Sequence, residues 1–300
     1  MTIDAVAVRV DAEWLALECV ALVRPQFFTV VEPVNVTQER FYGTTEQPST
    51  DVIVAQHDAI RLGLLAQGVR VVDVPPDRRF PLQFNVRDAA AVVGTRVVLG
   101  RMARSIRVGE PEMVEAHLPA GTQARAPQAG LLEGGDIIVT PSEIVVGLSM
   151  RTDVAGVRAL QDLIGPSRRV RPVELARDVL HLDVALALVG PGTGLIHRAS
   201  VAGELGSLSA VDWIDVTDDE AAEQGTNVLS LGPRRIAYDR RHDRIAAELR
   251  SRGFECLPFD LDELTKVGGG LRCMTLPLRR VGQELRRVGQ EMSHTVKESQ

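Results

Sequence analysis

What most limits the fold of this chain is a recurring beat of strand, turn, strand, helix, strand. Residues 89–93 and 97–99 are apolar runs separated by Gly94-Thr95, a hairpin-like turn. Residues 136–140 and 144–147 flank Pro141-Ser142, and helical spacing over 153–164 leads to a strand at 170–173. The same order recurs with 182–189 and 193–197 around Gly190-Pro191-Gly192, a short helix near 199–205, and a strand at 213–216. It returns with 227–231 and 235–238 around Gly232-Pro233, a helix at 241–251 and a strand at 254–258. A less regular first pass lies near 20–74, where the helix 51–67 ends at Gly68 before a strand at 69–74. Units of this kind cannot bury their apolar faces alone, so about five of them imply a closed or stacked array. A ring of ββαβ modules would bring loops from every module to one axial site.

No Gly/Ser- or Pro-rich linker interrupts the 300 residues, so residues 1–279 are expected to form a single α/β domain. The sequence RRVGQE at 279–284 recurs at 286–291, and 280–300 is expected to be a polar tail, helical or frayed. A net charge of −6 argues against a nucleic-acid or anionic-membrane surface. The first residues lack a basic region followed by an apolar run, and no apolar stretch reaches the ~18 residues needed to span a bilayer. Three cysteines without disulfide-like spacing suit a reduced, cytoplasmic setting. A homodimer is the expectation by frequency.

One segment concentrates reactive chemistry: Gly268-Gly269-Gly270-Leu271-Arg272-Cys273 at the mouth of a strand. Glycines allow close backbone approach to a ligand, and the adjacent Arg272 favours a thiolate. Cys273 is therefore a candidate nucleophile, or else a small buried hydrophobe before a turn. His181-Leu182-Asp183 opens an apolar run, and in a strand residues i and i+2 share a face, so both polar side chains would enter one space. A structural histidine is the competing reading. Glu133-Gly134-Gly135-Asp136 and Asn85-Val86-Arg87-Asp88 each place acids at the lip of an apolar run, where a solvated turn is the plainer alternative. Arg151 precedes Thr152-Asp153, either of which can cap the following helix. Gly190-Pro191-Gly192-Thr193-Gly194 lacks the Lys-Ser/Thr of a phosphate loop and reads as a hairpin turn.

In this order, Asn85-Val86-Arg87-Asp88, Gly100-Arg101-Met102 through Arg107, Glu133-Gly134-Gly135-Asp136, Gly147 to Arg151-Thr152, His181-Leu182-Asp183, Asn227-Val228-Leu229 and Arg272-Cys273-Met274-Thr275-Leu276-Pro277-Leu278 resemble the arginine deiminase, dimethylarginine dimethylaminohydrolase and amidinotransferase superfamily of guanidino-group-modifying enzymes. The resemblance covers roughly residues 20–279 and implies a five-bladed α/β propeller of ββαβ modules, a pentein-like fold. It implies Cys273 as nucleophile, His181 as general acid/base and Glu133 as the acid that orients the histidine. It further implies Asp88 and Asp183 as the carboxylates that grip a guanidinium, and Arg107 and Arg151 as ligands of a substrate α-carboxylate. No metal and no cofactor are expected.

The expected activity is hydrolysis at a C–N bond of a linear amidine. Arginine or a substituted arginine would give citrulline plus ammonia or an amine through a covalent thiouronium. The alternatives are an amidinotransferase, which passes the amidino group to an amine, and a non-catalytic propeller that binds without reacting. The partner implied is a small guanidino compound; free arginine, methylated arginine and a pathway-specific derivative all satisfy these residues.

Overall fold

The computed structural model describes residues 7–282 and shows five three-stranded sheets arranged as the blades of an α/β propeller. Strand β1 (Ala16–Val23) pairs in parallel with β2 (Arg70–Val74) across the helix Thr50–Ala66. The second blade is β3 (Ala90–Val93), β4 (Arg96–Leu99) and β5 (Ala124–Arg125). The third is β6 (Ile137–Val139), β7 (Glu143–Leu148) and β8 (Arg169–Glu174), with the helix Val154–Ile164 as crossover. The fourth is β9 (Leu186–Gly190), β10 (Thr193–Ile196) and β11 (Asp212–Asp215). The fifth is β12 (Leu229–Gly232), β13 (Arg235–Asp239) and β14 (Glu255–Phe259), crossing through the helix Asp243–Ser251. Finally β15 (Leu276–Val281) pairs antiparallel with β1 and completes the first blade.

That closure explains why the first pass is irregular in sequence: its inner strand comes from the far end of the chain. In every blade the inner strand runs antiparallel to the middle strand, and the middle strand pairs in parallel with the outer one. Inner strands such as AAVV, IIV and LALVG are buried at every position, so they read as continuous apolar runs without alternation. Apolar side chains also fill the seams between blades, as where Val92, Val98, Ile137, Val146 and Leu160 share one cluster. No helix of the described residues is long and apolar enough to cross a membrane.

Two expectations change. Strand β15 runs two residues past the boundary placed at 279, and Arg280 is buried with its Nη1 donating to the carbonyls of Leu15 and Ser230. The second RRVGQE copy and the rest of the tail lie outside the described residues. The strand expected over 182–189 begins only at Leu186, because Leu182–Val184 forms a single 3-10 turn. Equivalent turns precede the other inner strands: Val86–Ala89 before β3, Gly134–Asp136 before β6, turn residues 223–226 before β12, and 271–274 before β15. Each turn places a polar side chain at the head of an apolar strand.

Candidate active site

Those five turns meet at the propeller axis, and they carry the chemistry. Cys273 lies in the turn before β15, buried, with its backbone N–H and that of Arg272 donating to Asn227 Oδ1 at 3.2 and 3.0 Å. Asn227 Nδ2 donates to Cys273 Sγ at 3.1 Å and to the Asp183 carbonyl at 3.3 Å. One amide thus fixes the nucleophile's turn to the neighbouring blade. The thiol stands 3.5 Å from Asp183 Oδ2. Burial, then the charges of Asp183 and Asp88, push its pKa well above the usual thiol value, and Arg272 opposes them only weakly. The expectation that Arg272 favours a thiolate is therefore outweighed. Its guanidinium turns away to Asp183 Oδ2 at 2.8 Å, Glu13 Oε1 at 3.2 Å and the Ile137 carbonyl at 2.7 Å.

His181 sits in extended backbone just before its 3-10 turn, with Nε2 2.8 Å from Glu133 Oε2. Its Nδ1 is buried without a hydrogen-bond partner, 3.5 Å from Asp88 Oδ1. Burial disfavours the imidazolium, but Asp88, Glu133 and Asp136 outweigh it and lift the pKa to about 9. Burial likewise works against a charged Glu133, yet His181 and the guanidinium of Arg151 hold its carboxyl down at about 2. The shared-face argument for His181 and Asp183 fails, since these residues are not in a strand. A turn that begins at Leu182 brings both side chains to the axis instead.

Asp88 and Asp183 are engaged on one oxygen and free on the other. Asp88 Oδ2 accepts from Arg107 Nη1 at 2.5 Å and Asp183 Oδ2 from Arg272, whereas both Oδ1 atoms are buried and unpartnered. Two carboxylates with one open acceptor each, beside a thiol, form a receptor for a planar cation. Gly135 makes the close packing possible: a Cβ there would lie 2.8 Å from Asp88 Oδ1 and from His181 Cγ and Nδ1.

The two arginines differ. Arg107 is brought to the site, but its donors go to Glu110 at 2.7–3.1 Å, to Asp88 and to the Asn85 carbonyl. Arg151 donates through Nη2 to the Val34 carbonyl at 2.6 Å, while Nε and Nη1 are buried without hydrogen-bond partners. The segment carrying Val34 covers the axis, held by Asn35 Nδ2 and Gln38 Nε2 on the Val267 carbonyl at 3.2 and 2.9 Å. The glycines before Cys273 serve this packing: Gly268 has φ +94° against Asn35, and a Cβ on Gly269 or Gly270 would strike Asn85 or Asn227. They accommodate neighbouring protein, where the sequence suggested a passing ligand.

Asp136, one of the acids flanking the glycine pair, has no role in the sequence-based site. It accepts from the Leu182 N–H at 2.8 Å and the Ser149 hydroxyl at 2.6 Å, so it anchors the turn that follows His181. Burial raises its pKa to about 7. Asn227 and Asp136 share the signal that Asp88, Asp183 and Cys273 carry, a polar residue one to three positions before an inner strand. Glu110, the first residue of a short helix over Glu110–Glu115 in the second blade, has no such signal. Among the described residues, the ligand atoms of Asp88, Glu133 and His181 lie within 4.8 Å of one another. Both Glu133 oxygens already accept hydrogen bonds, from Ala103 N–H and His181, so the carboxylate is engaged within the protein.

Residues 24–280 match the protein family described as N,N dimethylarginine dimethylhydrolase, eukaryotic. The chain is 31% identical over 274 residues to the protein YkgA of Bacillus subtilis (strain 168), covering 89% of this chain and 94% of that one. It is 26% identical over 239 residues to the N(G),N(G)-dimethylarginine dimethylaminohydrolase of Pseudomonas aeruginosa, covering 77% and 90%. In fold it resembles SxtG, an amidinotransferase from Microseira wollei in the saxitoxin biosynthetic pathway. There the TM-score is 0.80 at 21% identity, with 93% of this chain and 98% of that one covered.

Proposed function

The chain belongs to the N,N-dimethylarginine dimethylhydrolase family of guanidino-group-modifying enzymes, and from that premise we propose that it hydrolyses arginine or a substituted arginine to citrulline and ammonia or an amine. The observation that carries this reading is the pair of unpartnered oxygens, Asp88 Oδ1 and Asp183 Oδ1, beside Cys273 and the unpartnered His181 Nδ1. A guanidinium carbon is a poor electrophile because three nitrogens share its charge. Held between the two carboxylates, it is fixed in front of sulfur with its entropy of approach already lost. The bound cation also offsets the charges of Asp88 and Asp183 that keep the thiol protonated, so substrate itself promotes the thiolate.

Sulfur then adds to carbon, and a C–N bond breaks as His181 Nδ1 gives its proton to the departing amine. Water enters, His181 takes one of its protons, and the thiolate leaves a ureido product. Glu133 holds Nε2 throughout, which leaves Nδ1 as the working nitrogen. Arg151, whose Nε is unpartnered and whose Nη1 stands 3.5 Å from Glu133 Oε1, takes the substrate's carboxylate, whereas Arg107 keeps Asp88 in position.

Burial favours a second reading. Cys273, His181, Asp88 and Asp183 are 0–3% exposed, and exclusion of water is what an amidinotransferase needs to keep its covalent intermediate for an amine. Mass spectrometry of products from arginine and from N-methylated arginines, with and without glycine or ornithine, tests both. Citrulline formed without an acceptor is expected; ornithine formed only when an amine acceptor is present replaces the hydrolase by the transferase.

A further inference from the structure

Next to the site, and joined to it by Arg272, lies a small cavity lined by Glu13, Arg87, Arg272, Arg280 and Ser230 and walled by apolar residues such as Ile138 and Leu188. Three guanidiniums face it and one carboxylate. All four ionic side chains are buried, Arg87 at 2%, Arg272 at 4%, Arg280 at 1% and Glu13 at 6% exposure. Glu13 Oε1 accepts from Arg87 at 2.8 Å and from Arg272 at 3.2 Å, so a single oxygen serves two cations. Among the described residues Arg280 has no carboxylate within ion-pair distance; its Nη1 is held by two carbonyls. The Nε atoms of both Arg87 and Arg280 are buried with no hydrogen-bond partner. Asp183, on the other side of Arg272, is the next carboxylate in reach, which still leaves three cations against two anions.

Excess positive charge with orphaned donors in a low-dielectric space is strongly unfavourable unless something compensates it. Burial above all, with Arg87 and Arg272 acting the same way and Glu13 against them, lowers the pKa of Arg280 to about 10. We propose that this axial cavity is a binding site for a small monovalent anion of the halide class, held by Arg87 Nε and Arg280 Nε. A halide suits the site because it is spherical and accepts N–H bonds from any direction. Its single charge matches the imbalance, which a sulfate or phosphate would exceed. The site is separate from the guanidinium receptor and does not depend on which reaction occurs there. It is linked to that receptor through Arg272, which grips Glu13 on one side and Asp183 on the other.

Two measurements on the full chain test it. Crystals grown in gluconate and soaked in bromide should give an anomalous peak between Arg87 and Arg280. In solution, the melting temperature should rise with the logarithm of chloride or bromide concentration above that in gluconate at equal ionic strength. The rise should vanish in Arg280→Met, and Arg87→Met substitutes for it should that variant not fold. Both results together support the proposal. Ordered water in place of bromide, equal melting curves in chloride and gluconate, or a halide effect unchanged in the variant each overturns it, as does a peak seen at crystal concentration only.

Discussion

Cys273 has an asparagine amide on its sulfur, a carboxylate at 3.5 Å and almost no exposure, an environment that favours the thiol over the thiolate. If it is the nucleophile, Cys273→Ser should reduce turnover by about a thousandfold or more, the scale of losing a covalent catalyst, while calorimetry still detects arginine binding. Undiminished activity would remove the covalent mechanism. Arg151 offers a second residue-scale test. Hydrogen bonds to charged groups are worth about 1.5–3 kcal/mol, so Arg151→Met should raise KM for arginine roughly 10- to 150-fold. Agmatine, which lacks the carboxylate, should be a poor substrate for the native protein and should lose little further in the variant. Equal losses for both compounds would place Arg151 elsewhere in the chemistry.

The element that matters most is the single helical turn at the head of each inner strand. Five such turns present Asp88, Asp136, Asp183, Asn227 and Cys273 toward one axis, each from a different sheet. Their polar heads were visible in the sequence as acids, an amide and a thiol before apolar runs. The turns themselves were not, because a few residues of apolar character look the same in a 3-10 turn as in a strand. For that reason the apolar run after His181 reads as a strand, with His181 and Asp183 on one face. Gly135 tests the turn's role: Gly135→Ala drives a Cβ to 2.8 Å from Asp88 and His181. Activity should fall at least about tenfold, since small misplacements of reacting groups act strongly on rate. The circular dichroism spectrum should stay native, and full activity would show that the acid and base need no such packing.

At the scale of the whole molecule, the ionic centre couples pH to stability. His181 titrates at about 9 folded against 6.5 ordinarily, so its contribution is complete below 6.5 and lost as pH rises through 9. Asp136, raised to about 7 from 3.8, drifts the same way from lower pH. Glu133, lowered to about 2 from 4.5, contributes above 4.5 and loses that contribution as pH falls toward 2. Urea midpoints should therefore peak near pH 4.5 and decline on the alkaline side, first as Asp136 ionises and then as His181 loses its proton. His181→Gln should flatten that alkaline arm. Parallel arms in the variant and the native protein would assign the decline to other groups.

The sequence by itself determined the blade count, most strands to within a few residues, and which polar side chains stand before the apolar inner strands. These follow from local periodicity and from residue chemistry, which one stretch of chain carries alone. Only the tertiary structure decided that β15 closes the first blade, that Arg107 is already held by Glu110 and Asp88, and that Arg272 turns from the thiol toward Glu13. Those outcomes depend on groups 3 to 265 positions apart meeting in a desolvated axis. There an arginine's partner is chosen by which buried carboxylate needs its charge, a competition that chain order does not record.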